Sequence, residues 1–97
     1  KPAPVRLLCV ENVIARDRNG GGRQTLTFEI SVENLDFAKR VEVHWEGEDA
    51  EWRMLPAGHV GPLGGGRELW RARSVHETDG EDRPLPGDIR FIVGCWM

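Results

Sequence analysis

Between Gln24 and Asn34 the chain reads QTLTFEISVEN, and Leu26, Phe28, Ile30 and Val32 fall on every second position. A helix would scatter those four side chains around its circumference. An extended strand places all four on one face and leaves Thr25, Thr27, Glu29, Ser31 and Glu33 on the other. β-Branched and aromatic residues dominate the apolar set, which suits a half-buried pleated surface. The segment predicts a strand of a small antiparallel β-domain.

Asn34 to Ala38 breaks the alternation and Lys39 to Glu46 restarts it, with Val41, Val43 and Trp45 on one side and Arg40, Glu42 and His44 on the other. Two such strands around a short turn predict an antiparallel pair or a corner between two sheets. Val5 to Ala15 is expected as the opening strand. Arg16 to Arg23 follows as a loop whose Asn19-Gly20-Gly21-Gly22 core supplies positive-φ positions. Glu51 to Leu55, Arg67 to Glu77 and Asp88 to Cys95 are predicted as further strands, the last alternating through Ile89, Phe91, Val93 and Cys95. Pro56 to Gly66, rich in Gly and Pro, and the polar stretch Thr78 to Gly87 are predicted as loops. No segment has an amphipathic helical pattern. About six short strands joined by Gly/Pro-rich turns predict an all-β fold, a single β-sandwich domain over residues 1–97.

The chain has 97 residues, 39% of them hydrophobic and 30% charged, within the range of ordinary globular domains. No apolar run approaches the roughly 20 residues of a membrane helix, and Lys1-Pro2-Ala3-Pro4 does not read as a signal peptide. The net charge is −3, and the arginines are scattered along the chain. Without a basic face, a nucleic acid partner is not expected. His44, His59 and His76 lie on three separate segments, and no nucleophile elbow, H-E-x-x-H or phosphate loop is present. The acidic groups Glu48/Asp49/Glu51 and Asp79/Glu81/Asp82 lack the alternating spacing of a calcium loop and read as solvated turns. The expectation is a binding domain with no catalytic residues, metal or cofactor. Cys9 and Cys95 each sit on an apolar stretch, as small hydrophobes or as a disulfide between the first and last strands if their Cα atoms lie within about 7 Å. Low cysteine content with high charge leans toward a reducing compartment.

Four Trp and no Tyr make the aromatics informative. Trp45 and Trp70 are expected in the core. Trp52 follows an acidic turn and stands between Glu51 and Arg53. There it offers a flat, rigid, amphipathic face of the kind that stacks on the C–H side of a sugar ring, or else caps one end of the sandwich. Trp96 falls opposite Phe91 and Cys95 in the strand period, so it is exposed or covered by chain outside this sequence.

These residues carry a resemblance. Val32 to Trp45, VENLDFAKRVEVHW, is similar to the V-x-N-x-x-[FY]-x-K-x-V-x-V-x-[YF] block of carbohydrate-binding module family 21, the starch- and glycogen-binding domains of some fungal amylases and of glycogen-targeting subunits of type-one protein phosphatase. The Asp49-containing turn before Trp52 resembles the family's D-x-W. Leu69-Trp70-Arg71-Ala72 resembles its aromatic strand, Ile89-Arg90-Phe91-Ile92-Val93 its I-E-F-x-I strand, and Val5 to Asn12 its opening strand.

The resemblance implies an immunoglobulin-like antiparallel β-sandwich that binds α-1,4-linked glucans (glycogen, starch, maltooligosaccharides) without catalysis. It makes Trp52 the stacking residue and Phe37 a second sugar contact. Lys39 either bonds hydroxyls or braces the corner, and Asn34 forms a turn by bonding its own backbone. Asp49 and Trp96 complete the expected ligand-binding set. The resemblance further implies a targeting module of a larger protein, with a phosphatase catalytic subunit as a partner through segments outside this chain. That protein would be cytoplasmic, or secreted if of the amylase type. The chain stops before the family's W-D-N-N motif and last strand, so a sandwich lacking its final strand is expected. Its open sheet edge would invite a dimer. The alternative is a protein-interaction sandwich that has lost its sugar site, recognising a partner through a sheet edge or the face around Arg67, Arg71 and Arg73.

Overall fold

A computed structural model of the chain describes residues 5–34, 39–79 and 85–96. The alternating segment forms β2 (Gly22–Glu33), its four apolar side chains buried. The opening strand β1 (Val5–Arg16) lies antiparallel beside it, with a bulge at Leu8. On its other side lies β6 (Arg67–Thr78), followed by β5 (Gly58–Gly64), giving a four-stranded sheet in the order β1-β2-β6-β5. The second sheet holds β4 (Trp52–Pro56), β3 (Arg40–Glu46) and β7 (Arg90–Trp96) in the order β4-β3-β7. All pairings are antiparallel. The chain thus changes sheets between β2 and β3, the corner rather than the hairpin of the two arrangements the sequence allowed. Phe37 and most of that corner lie outside the described residues.

The core is the inner faces of β2 and β3 pressed together: Leu26, Phe28, Ile30 and Val32 against Val41, Val43 and Trp45, with Ala72 from β6. Phe91 meets Phe28 edge-on at 5.2 Å, and Leu55, Trp70, Ile89, Val93 and Cys95 pack around the rim. Trp45 is fully buried and Trp70 partly so. Both cysteine thiols are free, Cys95 opposite Val41 on the core side and Cys9 opposite Glu29.

β5 corrects the sequence reading, which placed Pro56 to Gly66 in a loop. The segment is an edge strand paired to β6, bulged between His59 and Gly61 and between Pro62 and Gly64. Gly and Pro are tolerated there because an edge strand bonds along one side only. The link to β6 is a two-residue turn in which Gly65 and Gly66 have φ of 62° and 76°. Those are the two positive values a type I′ hairpin turn demands.

β1, β2 and β6 each have 12 residues, whereas β3 and β7 have seven, so the long sheet overhangs the short one. The overhang is closed by polar groups. Gln24, on the inner side of β2 and fully buried, donates through Nε2 to Asn12 Oδ1 and to the Gly87 carbonyl, both at 2.7 Å. Its Oε1 accepts the Gly87 N–H at 2.8 Å. At the corner end, Lys39 Nζ donates to Glu68 Oε1 at 2.6 Å and to Asn34 Oδ1 at 3.2 Å, while Trp70 Nε1 also donates to Glu68 at 3.3 Å. The Asn34 side-chain oxygen thus serves Lys39, and its N–H bonds the Gly66 carbonyl.

Two outcomes follow from these clamps. Gln24→Leu leaves the Asn12 and Gly87 groups without their partner and is expected to cost about 1–3 kcal/mol in denaturant unfolding. The Lys39 ammonium holds the Glu68 carboxyl below its ordinary pKa of 4.5. The pair's contribution is therefore complete above that value and is lost as pH falls through the lower folded one. Lys39→Met is expected to lower stability at pH 7 by about 3 kcal/mol and to flatten the acid limb of a stability–pH profile.

Candidate functional site

Burying Val41, Val43 and Trp45 turns the alternate residues of β3 outward, and the register of β4 and β7 fixes their neighbours. Three rows cross the outer face of the short sheet: Trp52, Glu46 and Arg90; Met54, His44 and Ile92; Pro56, Glu42 and Gly94, with Arg40 and Trp96 paired beyond the third. Trp52 is 53% exposed and Trp96 44%, and Met54 and Ile92 between them are open to solvent as well. Two of the tryptophans singled out in the sequence therefore share one surface, entering it from opposite corners.

Trp52 is held by the turn before it. The Ala50 N–H closes onto the Gly47 carbonyl at 3.1 Å. Asp49 Oδ1 accepts the Glu51 N–H at 3.0 Å and Arg53 Nη1 at 3.3 Å, and Asp49 Oδ2 accepts Arg53 Nη2. Arg53 points inward, its guanidinium 4.7 Å from the centre of the buried Trp45 ring. The turn is thereby tied to the core through Asp49, Arg53 and Trp45. Arg53, followed by the Glu51 N–H, holds the Asp49 carboxyl below its ordinary value, so it stays a charged anchor down to acid pH. Asp49 thereby pins the turn from which β4 and Trp52 start.

Lys39 is placed differently. Its side chain is 2% exposed and committed to Glu68, so it braces the corner and presents no head group to a ligand. The structure brings Trp52, Asp49 and Trp96 to the short sheet, sets Lys39 between the sheets, and leaves Phe37 outside the described residues.

Beside the Asp49 turn a groove of about 870 Å³ runs to the end of β6, lined by Glu48, Asp49, Arg53, His76 and Pro86 among others. His76 meets Trp45 edge-on at 5.2 Å, with Ser74 Oγ 2.9 Å from its Nε2. Burial, and then the Arg53 charge, push its pKa below 6.5, so the ring is neutral at pH 7. His44 lies on the outer face, 3.2 Å from Glu42, and His59 at the β5 edge, 3.3 Å from Glu68. The three histidines therefore occupy separate surfaces. Among the described residues no three His, Cys, Asp or Glu side chains come together to hold a metal ion.

The sequence reading missed Arg53 as the link between turn and core, and Arg40, Glu42 and Gly94 as neighbours of Trp96. The alternation did turn Arg40, Glu42 and His44 outward. Only the pairing of β7 with β3, about fifty residues apart in sequence, sets Trp96 beside them.

Ala50 closes the turn in the left-handed region, at φ 60°. Ala50→Gly is expected to raise stability by about 1 kcal/mol, because the strain a Cβ suffers there disappears. Iodide or acrylamide quenching of the exposed indoles should be unchanged.

No model of a known protein family matches the chain, and no curated protein matches it in sequence. Solved structures do match it in fold. The starch-binding domain of Rhizopus oryzae glucoamylase, in complex with β-cyclodextrin and maltoheptaose, superposes with a TM-score of 0.69 at 20% identity, over 99% of this chain and 78% of that one. A circularly permuted CBM21, described for its altered selectivity in carbohydrate binding, superposes with a TM-score of 0.65 at 21% identity, over 98% of this chain and 76% of that one. The chain thus has the antiparallel β-sandwich fold of these carbohydrate-binding modules, the fold that the resemblance in its sequence implied.

Proposed function

We propose that residues 1–97 are a single, non-catalytic carbohydrate-binding module of family 21 that holds α-1,4-glucan chains and targets a larger protein to glycogen or starch. The observation that carries this reading is Trp52. It is an indole more than half exposed, on a regular strand, behind a turn anchored to the core, where the Asp49-containing turn resembles the one that leads to the family's D-x-W tryptophan. A glucose ring offers a C–H face that stacks on such an indole, and a ring already fixed in place loses little entropy on binding. The sandwich fold shared with the Rhizopus oryzae starch-binding domain supports the same ligand class. In this reading Asp49 positions Trp52, Lys39 stiffens the corner, and Phe37 lies in the corner block where the family has an aromatic. The two free thiols suit a reducing compartment, and the proposed location is the cytoplasm. A phosphatase catalytic subunit is the proposed partner of segments outside this chain.

A second reading rests on β1. Leu7, Val10 and Ile14 lie opposite Ile30, Phe28 and Gln24 on the inner side of the long sheet, yet remain exposed along the edge that no described strand covers. Such an edge suits strand pairing with another chain, including a second copy. On that reading the chain is an interaction sandwich without a sugar site. On the face around Arg67, Arg71 and Arg73, Arg71 is occupied by Glu29 at 2.6 Å and Arg67 by Ser31 and Glu33.

Co-sedimentation with insoluble starch and with glycogen separates the two. The wild-type chain is expected to pellet with glucan, and Trp52→Ala, with an unchanged melting profile, to lose at least about tenfold in affinity. Equal retention of both proteins would remove the stacking role. No retention of the folded wild type, together with self-association in sedimentation velocity, would favour the second reading.

A further inference from the structure

We infer that the outer face of the short sheet is a single elongated track with two subsites, Trp52 at one end and Trp96 at the other, engaged together by one linear glucan. This inference rests on the α-glucan reading above and adds to it the extent of the site and the length of the chain it takes.

The Trp96 end is built as a platform. A Cβ at position 94 would meet the six-membered ring of Trp96 at 2.4–3.1 Å, so the absence of a side chain on Gly94 lets the indole lie back over the sheet. His44 meets that ring edge-on at 6.0 Å, and the Arg40 guanidinium lies 5.3 Å from its centre. Glu42, nearly buried beside it, is flanked by Arg40 Nε at 3.1 Å and His44 Nε2 at 3.2 Å. An indole thus sits next to the largely exposed Arg40 guanidinium, a donor for neighbouring hydroxyls of a ring resting on it, with Glu42 beneath as that guanidinium's partner.

The Trp52 end repeats the combination. In its row Glu46 is buried to 3% exposure and bonded to the largely exposed Arg90, so an indole, a carboxylate and a guanidinium again occupy one edge of the face. Between the two ends lie Met54, His44 and Ile92. The three strands pair without a bulge, so the floor is continuous.

The span decides what can use both ends. From Arg40 to Glu46 the strand rises about 20 Å at ~3.3 Å per residue, and two strand spacings of ~4.8 Å separate β4 from β7. The indoles are therefore on the order of 20 Å apart across the diagonal. A sugar or short oligosaccharide reaches one; a linear chain of several glucose units reaches both. Once one subsite is filled, the other binds at high effective concentration, so affinity should climb steeply with chain length.

Calorimetric titration of the whole chain with maltotriose and with linear maltooligosaccharides long enough to span the track tests this. Wild type is expected to bind the long oligosaccharides at least about tenfold more tightly than maltotriose. Trp96→Ala should lower the maltotriose stoichiometry from two sites to one and bring the long ligands to within about twofold of the affinity of the remaining site. Gly94→Ala, which displaces the indole without deleting it, should do the same, with melting curves confirming that both variants fold. A wild-type length dependence that survives in both variants would overturn the two-subsite track, and so would a wild type with no length dependence. In either case, retained maltotriose binding would leave the α-glucan reading standing. Absence of binding by any maltooligosaccharide to the folded wild type would overturn both.

Discussion

The whole molecule depends on the contact between the inner faces of β2 and β3. Leu26, Phe28, Ile30 and Val32 must be covered, and the chain covers them with the segment that follows at once, by changing sheets at the corner. Each large side chain buried there contributes roughly 1.5–3 kcal/mol. A one-residue slip in either strand would exchange its buried set for polar and charged residues, Thr25, Thr27 and Glu29 in β2 or Arg40, Glu42 and His44 in β3. The hydrophobic pattern therefore fixes the register, and the register assigns every outward residue on both sheets.

Burial does not close the ends. The long sheet overhangs the short one, and a core cut off there would expose the inner side of β2. The chain uses polar side chains with several bonds each: Gln24 gripping Gly87 and Asn12 at one end, Lys39 and Glu68 at the other. Groups so buried are costly when a partner is lost, which makes both clamps specific as well as stabilising. They also join stretches far apart in sequence, residue 24 with 87 and residue 39 with 68.

The surface that carries the proposed binding is the reverse side of the same core. Trp45 packs inward from β3, and its neighbours Glu46 and His44 face outward between Trp52, Met54, Arg90 and Ile92. Behind this layer, on the inner side of β4, Arg53 stacks on Trp45 and holds the Asp49 turn. A ligand platform supported in this way moves only if the core moves. That rigidity is what stacking on a sugar requires, since each ordered side chain would otherwise subtract from affinity.

By itself the sequence determined the strands whose two faces differ in polarity: β2, β3 and β7, and with them the burial of Trp45 and the outward direction of Trp96. Period two is a local property, and it survives any tertiary arrangement that covers one face. The block from Val32 to Trp45 also carried the resemblance to the fold that the solved structures share. β5 was not legible, because an edge strand with bulges has the Gly and Pro of a loop. The role of Lys39 was open, since only a carboxylate 29 positions away, on β6, draws its head group inward. Tertiary structure alone decided that Trp52 and Trp96 share one face. Strand order is set by which apolar faces can be buried together, and a single chain's alternation does not say which strands will be neighbours.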